Sequence, residues 1–185
     1  MIENKTLKNI DFASIGINQE YDNCQFSNCN FTGVDLSNIK FVECEFEACN
    51  FSQTKWHHTS IQNCEFTACK MLGIDFSAVN TFLLKLNFKE CQLNLSSFYA
   101  LKLKQISFIN CQLNEVDFAE ADLSKANFSG CQLRGAIFDG TNLMEADFRT
   151  ADGFSIDPTN NRIRKAKFRK DNVLGLLEGL GIKVE

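Results

Sequence analysis

The chain has 185 residues, is 44% hydrophobic and carries a formal net charge of −4. Such a length and apolar content predict one folded unit with a sizeable core and exclude an intrinsically disordered chain. No apolar run reaches the roughly 18 residues of a membrane span. The opening MIENKTLKNIDF lacks a basic-then-apolar leader, so a cytoplasmic protein is expected.

Taken from the N-terminus, large apolar residues return every fifth position. The rhythm starts imperfectly with Leu7, Phe12 and Ile17, then shifts by one residue. It then holds from Tyr21 through Phe26, Phe31, Leu36, Phe41, Phe46, Phe51, Trp56, Ile61, Phe66 and Met71 to Phe76. The next large residue, Leu83, comes two positions late, which predicts two extra residues looped out between Ser77 and Phe82. A second block then runs unbroken from Leu83 and Phe88 to Phe148. Two positions before each large residue stands a small or β-branched one, as in Val116, Ala121, Ala126 and Cys131. A period of five is neither the 3.6 of a helix nor the 2.0 of a strand, so it must be a structural repeat.

The cysteines set the length of one turn. All nine fall in series of step twenty: Cys24, Cys44, Cys64; Cys29, Cys49, Cys69; and Cys91, Cys111, Cys131. Four sides of five residues therefore close one turn. Looping out two residues near Ser77–Phe82 joins the last two cysteine series into one column and aligns every other column with it. At about 4.8 Å per stacked strand, the roughly 29 repeats predict about seven turns and a rod some 35 Å long. No CxxC pair occurs, and His57 and His58 follow the inward Trp56 as surface residues. The cysteines are thus expected to be buried, reduced thiols acting as small hydrophobes, with no metal, no cofactor and no disulfide.

An open rod has unpaired ends that need covers. After Ala151 the pattern lapses in DGFSIDPTNNRIRKAKF. DNVLGLLEGLG then predicts a short helix, with Asp171 as N-cap and Gly179 or Gly181 as stop. Val173, Leu174, Leu176, Leu177 and Leu180 give it an apolar face, and Ile182 to Val184 could add a strand. The expected division is a repeat rod over 1–157 and a C-terminal cap over 158–185. The apolar face, with Ile182, is the candidate interface with a second copy.

Charge is uneven along the chain. Residues 1–53 carry −5, 54–110 carry +3, 111–158 carry −6 and 159–185 carry +4. This is not the balance of an ordinary basic nucleic-acid binder. Catalysis is also unsupported, because every cysteine holds an inward position and no phosphate-binding GxxxxGK loop occurs.

The element seen in Ala121-Asp122-Leu123-Ser124 and Ala126-Asn127-Phe128-Ser129-Gly130 resembles the A-(D/N)-(L/F)-x-x motif of pentapeptide-repeat proteins, from about Leu7 to Ala151. The resemblance implies an all-β fold, a right-handed quadrilateral β-helix. The ending LLEGLGIKVE looks like the dimerisation module of the Qnr and MfpA proteins, and TADGFSIDPTNNRI is similar to the McbG type. Those relatives imply a homodimeric, DNA-mimicking protector of DNA gyrase or topoisomerase IV, of the quinolone-resistance or toxin-immunity kind, binding neither nucleic acid nor membrane directly. The alternative is a scaffold rod binding an unrelated protein. Candidate partner-binding residues are Glu115, Asp117, Glu120, Asp122, Glu145 and Asp147, with Ser77, Val79 and Asn80 of the interruption.

Overall fold

The computed structural model describes residues 1–177. Leu180, Ile182, and the predicted stop and final strand lie outside the described residues. The chain winds into a four-sided β-solenoid whose rungs pair in parallel. One side stacks Ile2–Glu3, Glu20–Asp22, Lys40–Val42 and Ser60–Gln62. The next stacks Thr6–Lys8, Gln25–Ser27, Glu45–Glu47, Cys64–Thr67, Leu86–Lys89 and Phe108–Ile109. The other two sides continue as single-residue bridges, such as Gln92 to Gln112 to Gln132 and Ser97 to Asp117 to Ile137. A side of five residues leaves only about three extended ones before the next corner, hence the short strands.

The five-residue motif follows from that geometry. The large residue and the one two before it point inward, because alternate side chains of an extended segment share a face. Phe88, Phe108 and Phe128 stack with 5.4 Å between ring centroids, and each meets rings of a neighbouring side edge-on. Corners require a left-handed residue, taken by glycine at Gly130, Gly135 and Gly140 and by non-glycines such as Glu115, Glu120 and Lys125. The Asp or Asn preceding the large residue has its own task. Its carboxylate or amide oxygen accepts the N–H two residues on, as Asp117 does from Ala119 at 2.9 Å and Asp122 from Ser124 at 3.0 Å.

All nine cysteines are free and buried. Asn30, Asn50, Lys70, Gln92, Gln112 and Gln132, each following a cysteine, pair in succession, so Cys29 to Cys131 form one continuous column. The thiols donate to carbonyls of the coil before: Cys49 Sγ to Phe26 O at 3.5 Å, Cys69 to Phe46 O at 3.4 Å and Cys91 to Phe66 O at 3.3 Å. Thr59, Ser96 and Thr141 make the same bond from equivalent positions. Burial raises the Cys24 and Cys29 thiols, and contact with the Cys44 thiol together with burial raises Cys64 well above its ordinary value. Enclosed in the core, the nine thiols are out of reach of solvent-borne electrophiles.

Three expectations are corrected. The interruption starts only at the end of the Ser77–Phe82 span and runs past it: Asn80 still pairs with Ser60, whereas Leu86 pairs with Cys64, so the two extra residues fall within 81–85. Leu83 does not enter the core. It takes a left-handed corner conformation at the tip of a Thr81–Leu84 turn and is 63% exposed, and Leu84 packs on the core instead. Nor does the ladder stop at the pattern's lapse, since Arg162 pairs with Asn142, Lys167 with Asp147, and Phe168 stacks on Phe148 at 5.4 Å.

The predicted helix is, within the described residues, one 3-10 turn over Val173–Leu176. Asn172 precedes it, not Asp171, which pairs with Arg169 at 3.1 Å. Gly175 sits so close to Phe154 that a Cβ there would lie 2.3 Å from its carbonyl oxygen. Glycine is also a weak helix former, so this turn is held by tight contact with Phe154 more than by propensity. Asn172 closes the end of the rod by donating to Phe148 O at 2.8 Å and Ala151 O at 3.1 Å.

Several carboxylates are held below their ordinary range: Asp11 by Ser14, Asp35 by Ser37, Asp157 by Thr159 and Asp147 by Arg149. Groups with depressed folded-state values add stability that is present above their unfolded values and lost as pH falls through the depressed ones. The melting temperature is therefore expected to be flat from about pH 7 to 5 and to fall below about pH 4. A melting temperature that rises on acidification would contradict this.

Candidate protein-binding surface

The candidate residues are spread around the rod, and their surroundings divide them. Asp122, Glu145 and Asp147 lie among cations. Asp147 is gripped by Arg149 through three contacts of 2.7 to 3.1 Å, Glu145 lies 3.8 Å from Lys125, and Asp122 accepts from Asn142 at 2.9 Å and shares a bridge with Lys102. Glu115, Asp117 and Glu120 occupy a different side. There Asp117 bridges Ser97 and Ile137, and Glu115 and Glu120 mark the two adjoining corners.

Glycines in the next rung let these corner acids lie flat. A Cβ at Gly140 would come 2.9 Å from Glu120 Oε1, and one at Gly135 would come 3.2 Å from Glu115 Cγ. Asp139, following Phe138 on the same side, accepts from Asn160. Among the described residues, Glu115, Glu120 and Asp139 form no ion pair. The same side exposes three large apolar residues: Leu95 at the corner one rung before Glu115, Tyr99 one rung before Ala119, and Ile137 beside Asp117, each at least half exposed. Acids interleaved with exposed apolar groups suit a partner with a basic surface and apolar contacts.

Sequence reading by period missed this apolar component. One signal was present: Ala136-Ile137-Phe138 puts an isoleucine where the motif calls for Asp or Asn. Ser77, Val79 and Asn80 do not form a projecting loop. Ser77 sits in a 3-10 turn over Phe76–Ala78, Val79 is buried, and Asn80 caps the following turn by accepting from Phe82 N at 2.9 Å. The projecting residues there are Phe82 and Leu83. At the C-terminal end, Val173 and Leu174 are exposed, while Leu176 and Leu177 are half-buried. His57 and His58 are exposed with ring centroids 4.1 Å apart. Among the described residues, no group of His, Cys, Asp or Glu side chains is placed to hold a metal ion. No helix among them is long and apolar enough to cross a membrane.

The model of the pentapeptide repeat region matches residues 19–86, 39–108, 79–148 and 101–175. The chain belongs to the pentapeptide-repeat family. The expected right-handed quadrilateral β-helix is the fold it has. Among solved structures, a trypsin-treated form of QnrB1, a plasmid-mediated fluoroquinolone resistance protein, aligns with TM-score 0.66 and 18% identity over 99% of both chains. A second trypsin-treated form gives 0.65 and 20%, over 100% of this chain and 99% of that one. HetL, involved in regulating heterocyst differentiation in the cyanobacterium Nostoc, gives 0.64 and 15% over 89% of this chain and 84% of its own. At such identities the likeness is one of fold. A search of curated proteins finds no match.

Proposed function

We propose that this pentapeptide-repeat protein is a non-enzymatic binding protein that protects or modulates a type IIA topoisomerase, DNA gyrase or topoisomerase IV. The observation that carries the reading is the acidic side with Glu115, Asp117, Glu120 and Asp139. It offers fixed negative charge on a rod to a surface built for DNA, and Leu95, Tyr99 and Ile137 add the apolar contact an enzyme surface can return. The full-length fold likeness to QnrB1 supports it. Purified protein at micromolar concentration should preserve gyrase supercoiling in the presence of a fluoroquinolone or a gyrase-directed peptide toxin. No effect on supercoiling, cleavage complexes or drug sensitivity would refute the proposal. A scaffold rod with an unrelated protein partner is the second reading. The exposed Leu95, Tyr99 and Ile137 favour it, since a pure charge mimic has no need of them.

The protein is further proposed to act as a homodimer, joined through the C-terminal cap that follows the rod's last paired rung at Lys167. Exposed Val173 and Leu174, beside half-buried Leu176 and Leu177, support that placement. Leu177→Asp should convert the dimer to a monomer in light scattering, and an unchanged dimer would refute the placement.

A further inference from the structure

Counting charge along the chain conceals how the fold sorts it around the rod. The last coil carries Arg162, Arg164, Lys165, Lys167, Arg169 and Lys170, all exposed. Because each side is five residues long, these six cations occupy two adjacent sides and the corner between them. The register extends the patch up the rod. Lys165 lies one rung beyond Glu145, which lies one rung beyond Lys125, through Lys125 N to Met144 O at 2.8 Å and Glu145 N to Arg164 O at 3.0 Å. Lys125, Lys165 and Lys167 line a groove with Asn127, Glu145 and Asp147. On the same side, Lys102 and Lys104 line a second groove with Lys85, where the insertion opens the rungs.

Near the last coil, Glu145 pairs with Lys125 and Asp147 with Arg149, while Asp122 accepts from Asn142 and from Ser124 N; farther up the rod the same flank turns acidic at Glu45, Glu47 and Glu65. Of the six terminal cations, only Arg169 has an ion-pair partner among the described residues, Asp171 at 3.1 Å. The C-terminal half of the rod therefore has an acidic side bearing Glu115 and Glu120 and a separate cationic side. Apolar surface on the cationic last coil is slight, since Ile163 and Phe168 pack against the core and Ala166 is small and half-buried. Protein interfaces have charge-depleted, apolar centres, whereas nucleic-acid interfaces are polar and strongly positive. A compact cluster of exposed point cations on a rigid coil suits the repeated charges of a phosphate backbone.

We propose that the cationic flank, centred on the Arg162–Lys170 coil, binds the phosphate backbone of duplex nucleic acid without sequence preference. This stands apart from the topoisomerase reading, which concerns the other flank, and it reverses the expectation drawn from net charge alone. Contact with about four phosphates would give a salt dependence of roughly −3.6 in log affinity against log salt, about a hundred-fold loss between roughly 50 and 200 mM salt.

The test is fluorescence anisotropy of the full chain with a labelled duplex of about 20 base pairs, with no topoisomerase present. The expected result is binding at low salt with that steep dependence, lost at least ten-fold in Arg164→Glu/Lys167→Glu. It should be retained in Lys55→Glu/Lys70→Glu, which makes the same charge change on the other sides. All variants are exposed substitutions, and unchanged thermal melts would confirm folding. No duplex binding at low salt, or equal loss in both double variants, would overturn the proposal. So would equally tight, equally variant-sensitive binding of a poly-glutamate peptide, which would point to an acidic protein as occupant.

Discussion

Replacing Phe108 with alanine is expected to destabilise the protein by about 3–5 kcal/mol and to lower its melting temperature by roughly 6–20 °C. Phe108 is fully buried, stacked on Phe88 and Phe128 at 5.4 Å and edge-on to Phe98 and Phe118 at 5.6 and 5.8 Å. The rungs on either side are fixed by backbone hydrogen bonds, such as Phe88 N to Ser107 O at 2.9 Å and Phe108 N to Asn127 O at 2.8 Å. The wall around the missing ring therefore cannot collapse inward, and the full cavity cost applies. Phe82→Ala serves as contrast, because that ring is 68% exposed on the insertion and its loss should change stability little. Equal, small effects from the two substitutions in differential scanning calorimetry would refute the stacked core as the source of stability.

The second large effect is expected at Asn161. This buried side chain accepts from Thr141 N at 2.8 Å and donates to Phe138 O and Asp157 O, both at 2.9 Å. It stands where the repeat would place Ala, Cys or Thr, two residues before Ile163. From there it joins the last coil to the irregular segment around Pro158. Leucine has similar size but strands one N–H and two carbonyls, so Asn161→Leu should cost about 2–4 kcal/mol. Unfolding in urea would show it as a lowered midpoint with unchanged slope. A midpoint equal to the wild type would mean that water or another group satisfies those atoms.

These two residues show what was and was not legible beforehand. Phe108 could be placed from the sequence because period, column and burial all depend on residue size, and size repeats. Asn161 could not, because a polar residue in an inward position breaks the hydrophobic rhythm and reads as its end. For the same reason the ladder's continuation to Arg162 and Lys167 was hidden. Leu83 departs in the opposite sense: size predicts an inward residue, but the corner it occupies sets its direction. Gly175 likewise fills a gap beside Phe154 that no periodicity announces.

Among the candidate surface residues, types could be chosen from the sequence but roles could not. Asp117, Asp122 and Asp147 each accept a backbone N–H two residues on, so the fold itself accounts for their carboxylates. Glu115, Glu120 and Glu145 carry no such duty, and only the first two sit away from the cationic flank. That separation depends on which side of the rod a residue occupies, and a segment-by-segment charge count mixes the sides. Ile137 and Tyr99 join Glu115 and Glu120 only once the columns are registered in space.

The most direct test of the partner surface is surface plasmon resonance against immobilised gyrase, comparing two double variants of equal charge change. Glu115→Lys/Glu120→Lys alters the acidic, apolar-flanked side, and Glu90→Lys/Glu145→Lys alters the cationic flank. All four side chains are exposed at corners. The account predicts at least a ten-fold loss of affinity for the first variant, with the second close to wild type. Equal affinity of both variants and the wild type, or a loss confined to the second, would contradict it.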